Sequence, residues 1–336
     1  MVSGYSFCFF GGIMKYLFKK EGSWYKANLH SHCTVSDGKF TPEEVKELYK
    51  SRGYQIYAYS DHHVLVPHPE LKDESFLPIT SIEASIKDFR DPDNEERTTY
   101  HLNFFAKDEN CAEFVDFPRL EYQAKGIYSV ELINDLIRRA NEAGFLAQYN
   151  HPYWSQQTVR DFGPLEGLWG FEAFNGGSQT YKRNGWGDQQ YLEMLWEEKF
   201  PVPTAGDDNH NGSPLDHPMS DSFRCFTMIR AERLEYNAVL EAMEKGQLYA
   251  STGPLIEELY AEEGKVYIKT SPCCKILLRT QYRGFLSAHA HEDTLTEAVF
   301  DLAELKTPPR YLRFEVWDTH NERAITRAFF PEEWRE

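Results

Sequence analysis

Six short segments of this sequence carry residue types that bind metal ions in proteins, and five of them do so directly after an apolar, strand-like run. The residues are His30, His32, His62, Glu83, His101, His151, Asp208 and His210. In a closed parallel barrel the carboxyl ends of the strands converge on one face, so ligands spread over about 180 residues can meet in one cavity. The repetition predicts a hydrolase that holds more than one metal ion.

Two pairs of these residues have a spacing that suits a shared ion. His30 and His32 are two residues apart at the end of a predicted strand, so both imidazoles point to the same side and can hold one ion. Asp208 and His210 repeat this spacing. Asp37 lies in the loop HSHCTVSDG that leaves the first strand, where its carboxylate can turn back to a second ion.

Glu83 is a single carboxylate in the apolar run LPITSIEAS, and carboxylates are rarely buried without a partner. A bridging role between two cations would explain its position. Imidazole and carboxylate ligands without thiolates favour Zn, Mn or Fe, because a magnesium site would carry fewer histidines. Each of these residues taken alone is more often a satisfied polar group, so the prediction depends on the whole set.

The other histidines lack the position at a strand end, and structural roles are expected for His63, His68, His217, His289, His291 and His320. His63 is the most ambiguous of them because it follows His62 directly. Asp207 is a weaker candidate than Asp208, which has the two-residue spacing to His210.

Alternating strand and helix patterns must position these side chains. A strand is predicted at 24–30, and the helix after it begins with Thr41 as N-cap, Pro42 in the first turn and Glu44 closing a capping box. Strands and helices go on alternating as far as residue 252. This order favours an α/β fold, with a (β/α) barrel of about seven strands in residues 14–252.

A second helix is predicted from Ser129 to Ala143 because its apolar residues have helical spacing and Gly144 ends the run. Residues 253–336 differ, since KVYIKT, CKILLRT, RYLRFEVWD and AITRAFF are strand-like runs with no long helix between them. They predict a small β-rich C-terminal domain. Residues 1–13 are apolar and precede a second methionine, and the sequence leaves open whether they follow an over-called start or form an edge extension.

Composition limits the functional classes. The 336 residues have a formal net charge of -17, from 53 acidic and 36 basic side chains. Binding a long nucleic acid depends on lysine and arginine displacing counterions, so such a partner is not expected, whereas a small phosphorylated molecule held by metal ions is compatible. The six cysteines show no paired spacing and predict reduced thiols in the cytoplasm. No segment predicts a membrane helix.

Several motifs together resemble those of the PHP family (polymerase and histidinol phosphatase). They are HSHCTVSDG, the SDH of Ser60 to His62, the Glu83 segment, the NHP of Asn150 to Pro152 and the GDDNH of Gly206 to His210. The resemblance covers residues 24 to 252 and implies a distorted seven-stranded barrel with two or three metal ions and phosphoesterase activity. The ASTGP at 250–254 and the β-rich tail resemble a branch of this family with a C-terminal β domain, some members of which resemble esterases for non-phosphate substrates.

The resemblance also implies how the ions would be shared. One ion would be held by His30, His32, Glu83 and Asp208, a second by Glu83, His101 and His151, and a third by Asp37, His62 and His210. Asp37 departs from the pattern, because several relatives with three ions have a histidine there. The aspartate version often resembles a site with two firmly bound ions.

The predicted function is hydrolysis of a small phosphorylated metabolite, such as a phosphomonoester or nucleotide, by a hydroxide that bridges two metal ions. His62, His210 or a metal-bound water would protonate the leaving group, and Arg183, with Lys182 as the second candidate, would contact the substrate phosphate. A metal-dependent carboxyl or carbamate ester hydrolase is the alternative, and a non-catalytic metal-binding domain is a weaker one. The sequence leaves the natural substrate, the metal and the oligomeric state open.

Overall fold

The computed structural model describes residues 14–87, 99–116 and 129–335. The alternatives for residues 1–13 therefore lie outside the described residues. The described chain has a mixed α/β architecture with a large sheet and few helices, as the sequence predicts at that level. No helix within these ranges is long and apolar enough to cross a membrane. The five described cysteines form no disulfide.

The described strands and helices follow in chain order. The strands are β1 (Lys15–Tyr16), β2 (Ser23–Asn28), β3 (Ile56–Tyr59), β4 (Leu77–Lys87), β5 (Thr99–Ala106), β6 (Phe145–Tyr149), β7 (Gly170–Asn175), β8 (Val202–Gly206), β9 (Phe226–Ala231), β10 (Leu248–Ser251), β11 (Ile256–Glu262), β12 (Lys265–Cys273), β13 (Lys275–Arg279), β14 (Phe285–His289), β15 (Leu295–Asp301), β16 (Arg313–Trp317) and β17 (Arg323–Thr326). The helices are α1 (Pro42–Lys50), α2 (Val130–Glu142), α3 (Val159–Phe162), α4 (Gly176–Lys182), α5 (Asp188–Trp196), α6 (Tyr236–Glu244) and α7 (Pro331–Trp334).

The first helix begins as its sequence predicts. The Thr41 side chain accepts a hydrogen bond from the Glu44 backbone N–H, and the Glu44 carboxylate accepts one from the Thr41 N–H, which completes a capping box. Val45 and Tyr49 form the buried face of this helix and pack in one core cluster with Tyr57 of β3. Helix α1 is thereby fixed beside the strand that precedes His62.

The structure confirms the second helix, which was predicted from its apolar spacing. The Ser129 side chain accepts a hydrogen bond from the Leu132 N–H and caps the helix. Ile133, Leu136 and Ile137 are fully buried in the core cluster that also contains the strands β5 and β6. Burying each such side chain contributes roughly 1.5–3 kcal/mol, so this face anchors the helix to the sheet.

The large sheet has the strand order β14-β13-β16-β17-β10-β9-β2-β3-β4-β5-β6-β7-β8 in the described residues. Strands β2, β3 and β4 pair in parallel, as do β6, β7 and β8. Strand β5 pairs antiparallel with both β4 and β6, and β9 pairs antiparallel with β2. The purely parallel arrangement assumed from the sequence is therefore wrong for β5 and for β9.

The reversal of β5 explains the position of His101. This residue is the third of the strand rather than a residue that follows it, and it pairs with Ser85 of β4. An antiparallel strand begins at the edge where its parallel neighbours end. His101 thus reaches the same edge as the residues that follow the parallel strands.

Strand β8, at one end of this order, also contacts β9. The Thr227 hydroxyl accepts a hydrogen bond from the Ala205 N–H at 2.9 Å and donates one to the Ala205 carbonyl at 2.9 Å. The eight consecutive strands from β9 to β8 in this order therefore curve, so that the first and the last of them are in contact through the Thr227 side chain. The closed seven-stranded barrel stays a prediction.

The C-terminal strands are divided between two sheets. Strand β17 pairs with β10, so β13, β14, β16 and β17 extend the large sheet. Strands β1, β11, β12 and β15 form a second, four-stranded sheet. A core cluster that includes Ile268, Phe314 and Phe329 fills the space among these strands. The strand-rich character of residues 253–336 agrees with the sequence, and the domain boundary at 252 stays a prediction.

Candidate metal centre

Ten histidine, aspartate and glutamate side chains converge at one edge of the large sheet. They form four overlapping groups, and within each group one ligand atom per residue lies within 4.8 Å of all the others. The groups are His30, His32, Glu83 and Asp208; Glu83, His101 and His151; His32, Asp37, His62 and His210; and His30, His151 and Glu172. The structure thus brings together all nine predicted ligands and adds Glu172.

Backbone hydrogen bonds between the loops after β2 and β8 hold the first group. The Asp208 N–H donates to the His30 carbonyl at 2.9 Å, and the His32 N–H donates to the Asn209 carbonyl at 3.1 Å. The loop between His32 and Asp37 is held by another carboxylate. Asp61 accepts hydrogen bonds from the backbone N–H groups of Cys33 and Ser36 and from both of their side chains.

The Glu83 carboxylate lies at the centre of the cluster, and its side chain is 1% exposed. Its Oε1 is 2.9 Å from His101 Nδ1, 3.2 Å from His30 Nε2 and 3.4 Å from His151 Nε2. Its Oε2 faces the remaining side, 3.0 Å from His62 Nδ1 and 3.4 Å from His32 Nε2. The two oxygens point to different sets of histidines, which is the arrangement that a bridging carboxylate requires.

Three histidines are oriented by a hydrogen bond at Nδ1. His30 Nδ1 is 2.9 Å from Glu172 Oε1, His151 Nδ1 is 3.3 Å from Ser155 Oγ, and His210 Nδ1 is 3.0 Å from the Asp208 carbonyl. A proton on Nδ1 in each case leaves Nε2 free for an ion. That atom faces Glu83 in His30 and His151, and it faces Asp37 in His210.

The residues present fit divalent cations by two observations. Four buried side-chain atoms in the cluster have no hydrogen-bond partner, namely His30 Nε2, His32 Nδ1, His62 Nδ1 and Glu83 Oε2, although buried polar atoms are normally satisfied. In addition, every ion pair that Glu83, Glu172 and Asp208 make with described residues is with a histidine, never with lysine or arginine. Bound cations would satisfy both the orphan atoms and the buried negative charge.

Exposure differs across the cluster. The side chains of His30 and His32 are fully buried, whereas those of Asp37, His62 and His210 are 56%, 24% and 31% exposed. The group with Asp37 therefore lies at the mouth of the site, in contact with solvent. The groups that share Glu83 lie at the bottom.

The charges of the cluster shift its pKa values in opposite directions. Burial and the neighbouring His62 and His210 lower the pKa of His32 to about 4. Burial acts in the same sense on His210, but Asp37 and Asp208 outweigh it and raise the pKa of His210 to about 9. The Glu83 pKa lies well below its ordinary value, because the surrounding histidines outweigh the effect of burial. The carboxylate is therefore ionised near neutral pH.

Two of these residues have an unusual backbone conformation. His151 and Asp208 have φ angles of 22° and 51°, in the region that favours glycine. Hydrogen bonds support both, since the His151 N–H donates to Glu172 Oε2 and the Asp208 N–H donates to the His30 carbonyl. Strained backbone of this kind concentrates at functional sites.

The predicted phosphate contact involves two neighbouring basic residues at the end of α4. Arg183 is exposed, has a φ of 56°, and makes no ion pair or hydrogen bond through its side chain with the described part of the chain. The Lys182 ammonium lies 5.4 Å from the centre of the Trp154 ring. Trp154 in turn lies 4.9 Å from His151 and 5.5 Å from His101, measured between ring centres. Lys182 is thus one aromatic ring away from the cluster.

The residues expected to be structural are not members of the donor groups in the described chain. None of His63, His68, His217, His289, His291 and His320 belongs to a group of possible ligands in the described residues. Asp207 is fully buried and accepts hydrogen bonds from the Tyr49 hydroxyl and from three backbone N–H groups. Burial raises its pKa to about 6, although those donors act in the opposite sense.

Glu172 is the donor that the sequence reasoning missed. It stands alone in the apolar strand GFEAFN, as Glu83 does in LPITSIEAS. The same signal, an isolated carboxylate in a buried strand, was therefore available for both residues.

The donor set is of the class that binds divalent metal ions. No protein-family model matches the sequence, and no curated protein matches it. Solved structures do. One is a two-domain protein containing a predicted PHP-like metal-dependent phosphoesterase from Bacteroides vulgatus; it is 16% identical, with 94% of this chain and 98% of that chain covered and a TM-score of 0.45.

Two further solved structures are similar. One is a candidate metal-dependent phosphoesterase from Bifidobacterium adolescentis, 14% identical, with 61% of this chain and 94% of that chain covered and a TM-score of 0.38. The other is an amidohydrolase from Chromobacterium violaceum with bound sulfate and no metal, 17% identical, with coverages of 55% and 88% and a TM-score of 0.36. Structural neighbours of this chain thus include PHP-like metal-dependent phosphoesterases.

Proposed function

We propose that the cluster holds two or three divalent ions and that the protein is a metal-dependent phosphoesterase acting on a small phosphorylated metabolite. The observation that carries the proposal is the position of Glu83, whose two oxygens face different histidines in a cluster where Glu83 pairs with no lysine or arginine of the described chain. Two ions, one at each oxygen, would use both of these faces. A cytoplasmic location stays an expectation from the sequence.

The proposed ligand sets follow the donor groups. One ion is held by His30, His32, Glu83 and Asp208, and a second by Glu83, His101 and His151. Asp37, His62 and His210 hold the third, with His32 beside them. Histidine and carboxylate donors without a thiolate favour Zn, Mn or Fe.

The chemistry is divided between the ions and the side chains around them. Bound ions supply a water of lowered pKa and positive charge for the phosphoryl oxygens. His62 and His210 lie at the exposed side, so either imidazole can give a proton to the departing oxygen when no ion is bound at the third position. His210 is held through Nδ1 by the Asp208 carbonyl, and its Nε2 faces Asp37.

A phosphorylated substrate is supported by the basic residues beside the cluster. Lys182 lies over Trp154, and Arg183 follows it at the end of the helix. A net charge of -17 would otherwise repel an anion. Local cations and bound metal ions offset that repulsion only for a small substrate that reaches the site, so a long nucleic acid is not expected.

The test compares two ester classes on the same protein. The Mn- and Zn-loaded forms are assayed with 4-nitrophenyl phosphate and 4-nitrophenyl acetate, and then with nucleotides, sugar phosphates and amino-acid phosphates. The proposal expects turnover of phosphomonoesters that requires metal and is lost in Glu83→Gln. Turnover of the acetate alone would make the protein a carboxyl ester hydrolase, and turnover of neither class by a metal-loaded protein would refute a phosphoesterase.

A further inference from the structure

Glu172 of β7 lies behind the candidate ligands rather than among them. Its side chain is fully buried. Its Oε1 is 2.9 Å from His30 Nδ1, the ring nitrogen that points away from the cluster centre. Its Oε2 accepts hydrogen bonds from the His151 N–H at 3.1 Å and from Asn175 Nδ2 at 2.9 Å. Both oxygens are thus occupied by donors from the protein.

These hydrogen bonds connect one carboxylate to candidate ligands from three separate loops. The contact to His30 fixes the ring after β2, and the contact to the His151 backbone supports the φ of 22° after β6. Asn175 Nδ2 also lies 3.2 Å from Asp208 Oδ2, which extends the connection to the loop after β8. Ligands that come from different loops need such a common support to hold one geometry.

Resting on the metal centre proposed above, we propose that Glu172 is its positioning residue, a buried carboxylate that orients His30, His151 and Asp208 without binding an ion. The proton on His30 Nδ1 is donated to Glu172, so His30 presents Nε2 to the cluster. That Nε2 is 3.2 Å from Glu83 and 3.3 Å from Asp208 and has no hydrogen-bond partner. A metal ion bound to this nitrogen would be its partner.

The structure also explains why a glutamine cannot replace this carboxylate. If its oxygen faces His30, its amide N–H₂ meets the His151 N–H and Asn175 Nδ2, which are both donors. If the amide is turned, its N–H₂ faces His30 Nδ1 and favours the tautomer with the proton on Nε2, which blocks the ion. The first orientation leaves two buried donors without this acceptor, and the second holds His30 in the tautomer that cannot bind an ion through Nε2.

The test measures metal binding rather than turnover. Affinities of wild type and Glu172→Gln for Mn and Zn are determined by competition with a chromophoric chelator, together with the number of ions bound at saturation. We expect Glu172→Gln to bind about 10- to 100-fold more weakly with the number of ions at saturation unchanged. An affinity equal to that of wild type overturns the proposal, and the loss of one ion at saturation with the others unaffected overturns it by making Glu172 a direct ligand.

Glu315→Gln is the matched control, because Glu315 is also a buried carboxylate but pairs with Arg279 and Arg313 far along the chain. It should lower the melting temperature and leave metal affinity unchanged, whereas an equal loss of affinity in both variants would show a purely structural effect.

A second measurement needs no variant. In the zinc-loaded wild type, ¹⁵N NMR should show a slowly exchanging proton on His30 Nδ1, and a proton on Nε2 instead would refute the proposal. Metal binding without phosphatase activity would contradict the phosphoesterase proposal alone.

Discussion

At the residue scale, burial and neighbouring charges shift the pKa values of the cluster's imidazoles in opposite directions. Burial and neighbouring imidazoles lower the pKa of His32 to about 4, while carboxylates raise that of His210 to about 9. Burial also outweighs Glu83 and lowers the pKa of His101 to about 4. The histidines therefore cannot all be protonated near neutral pH, and divalent ions bound to neutral imidazoles would neutralise the carboxylates instead.

Metal binding at the mouth should depend on pH. A histidine binds a metal ion only when neutral, and protons compete with the ion at His210 below its pKa of about 9. We expect the apparent affinity of the most weakly held ion to rise with pH up to about 9 and then to level off. Calorimetric titration at several pH values measures this, and His210→Ala should reduce the dependence.

The metal-free protein should respond to pH in the opposite sense. The His210 pKa is raised above its unfolded value of about 6.5, so the stability it contributes is fully present below that value. It is lost as the pH rises through about 9. The difference in melting temperature between metal-loaded and metal-free protein should therefore widen over this range, and a constant difference would contradict the role of His210.

Glu83→Gln should keep the fold and weaken the binding of both ions at the bottom of the site. An amide carries no charge to offset two cations and is a poor bridging ligand, so activity should fall by several orders of magnitude while the far-UV circular dichroism is retained. Glu166→Gln is the control, because Glu166 is an exposed residue paired with Lys199. Near-normal turnover of Glu83→Gln would show that the bridge is wrongly assigned.

Binding of the substrate phosphate group should depend on one of two adjacent basic residues. The sequence favours Arg183, whereas the ring contact to Trp154 brings Lys182 next to the cluster. Alanine at the residue that contacts phosphate should lower kcat/KM by about 10- to 100-fold, the scale of a charge-assisted hydrogen bond, with metal content unchanged. Steady-state kinetics of Lys182→Ala and Arg183→Ala decide between them, and if both are silent, the ions alone hold the phosphate.

The sequence could identify donors by residue type but not by orientation. His30 and His32 were recognisable from their spacing, and Glu83 from its isolation in an apolar run. Which nitrogen of His30 faces the cluster depends on Glu172, which is 142 positions away in the sequence. Contacts of this kind come from tertiary packing, which no local pattern contains.

At the scale of elements, the site depends on the direction of each strand. The run TYHLNFFA is buried at every position, so its pattern carries no information on direction. In the structure, only residues 88–98 separate β4 from β5, fewer than the dozen or more that a parallel crossover needs. The end of β4 at Lys87 is known only from the structure, so the direction of β5 could not be predicted from the sequence.

The end of β8 must approach the ligands closely, and Gly206 permits this. A Cβ at this position would lie 2.5 Å from His30 Cβ and 2.9 Å from Glu172 Oε1. Gly206→Ala should therefore displace His30, cost about 1–3 kcal/mol of stability and weaken metal binding, as thermal unfolding and chelator competition would measure. Gly212→Ala is the control, since a Cβ there meets no atom within 4 Å. Equal behaviour of the two variants would contradict this role.

At the scale of the whole molecule, the sequence predicted a strand-rich C-terminal region but not its connection to the rest. Strand β17 pairs with β10, so part of this region continues the large sheet, while β11 pairs with β1 near the start of the described chain. Pairing between strands so far apart in sequence depends on long-range register. The composition of KVYIKT or AITRAFF predicts a strand and leaves its partner undetermined.

The account as a whole depends on a centre with more than one metal ion bridged by Glu83. Elemental analysis of the purified protein, before and after incubation with Mn or Zn and removal of excess ions, tests this most directly. We expect at least two ions per chain in the wild type and a clear loss in Glu83→Gln. One ion or fewer per chain in the wild type after incubation, with the protein folded, would contradict the central claim.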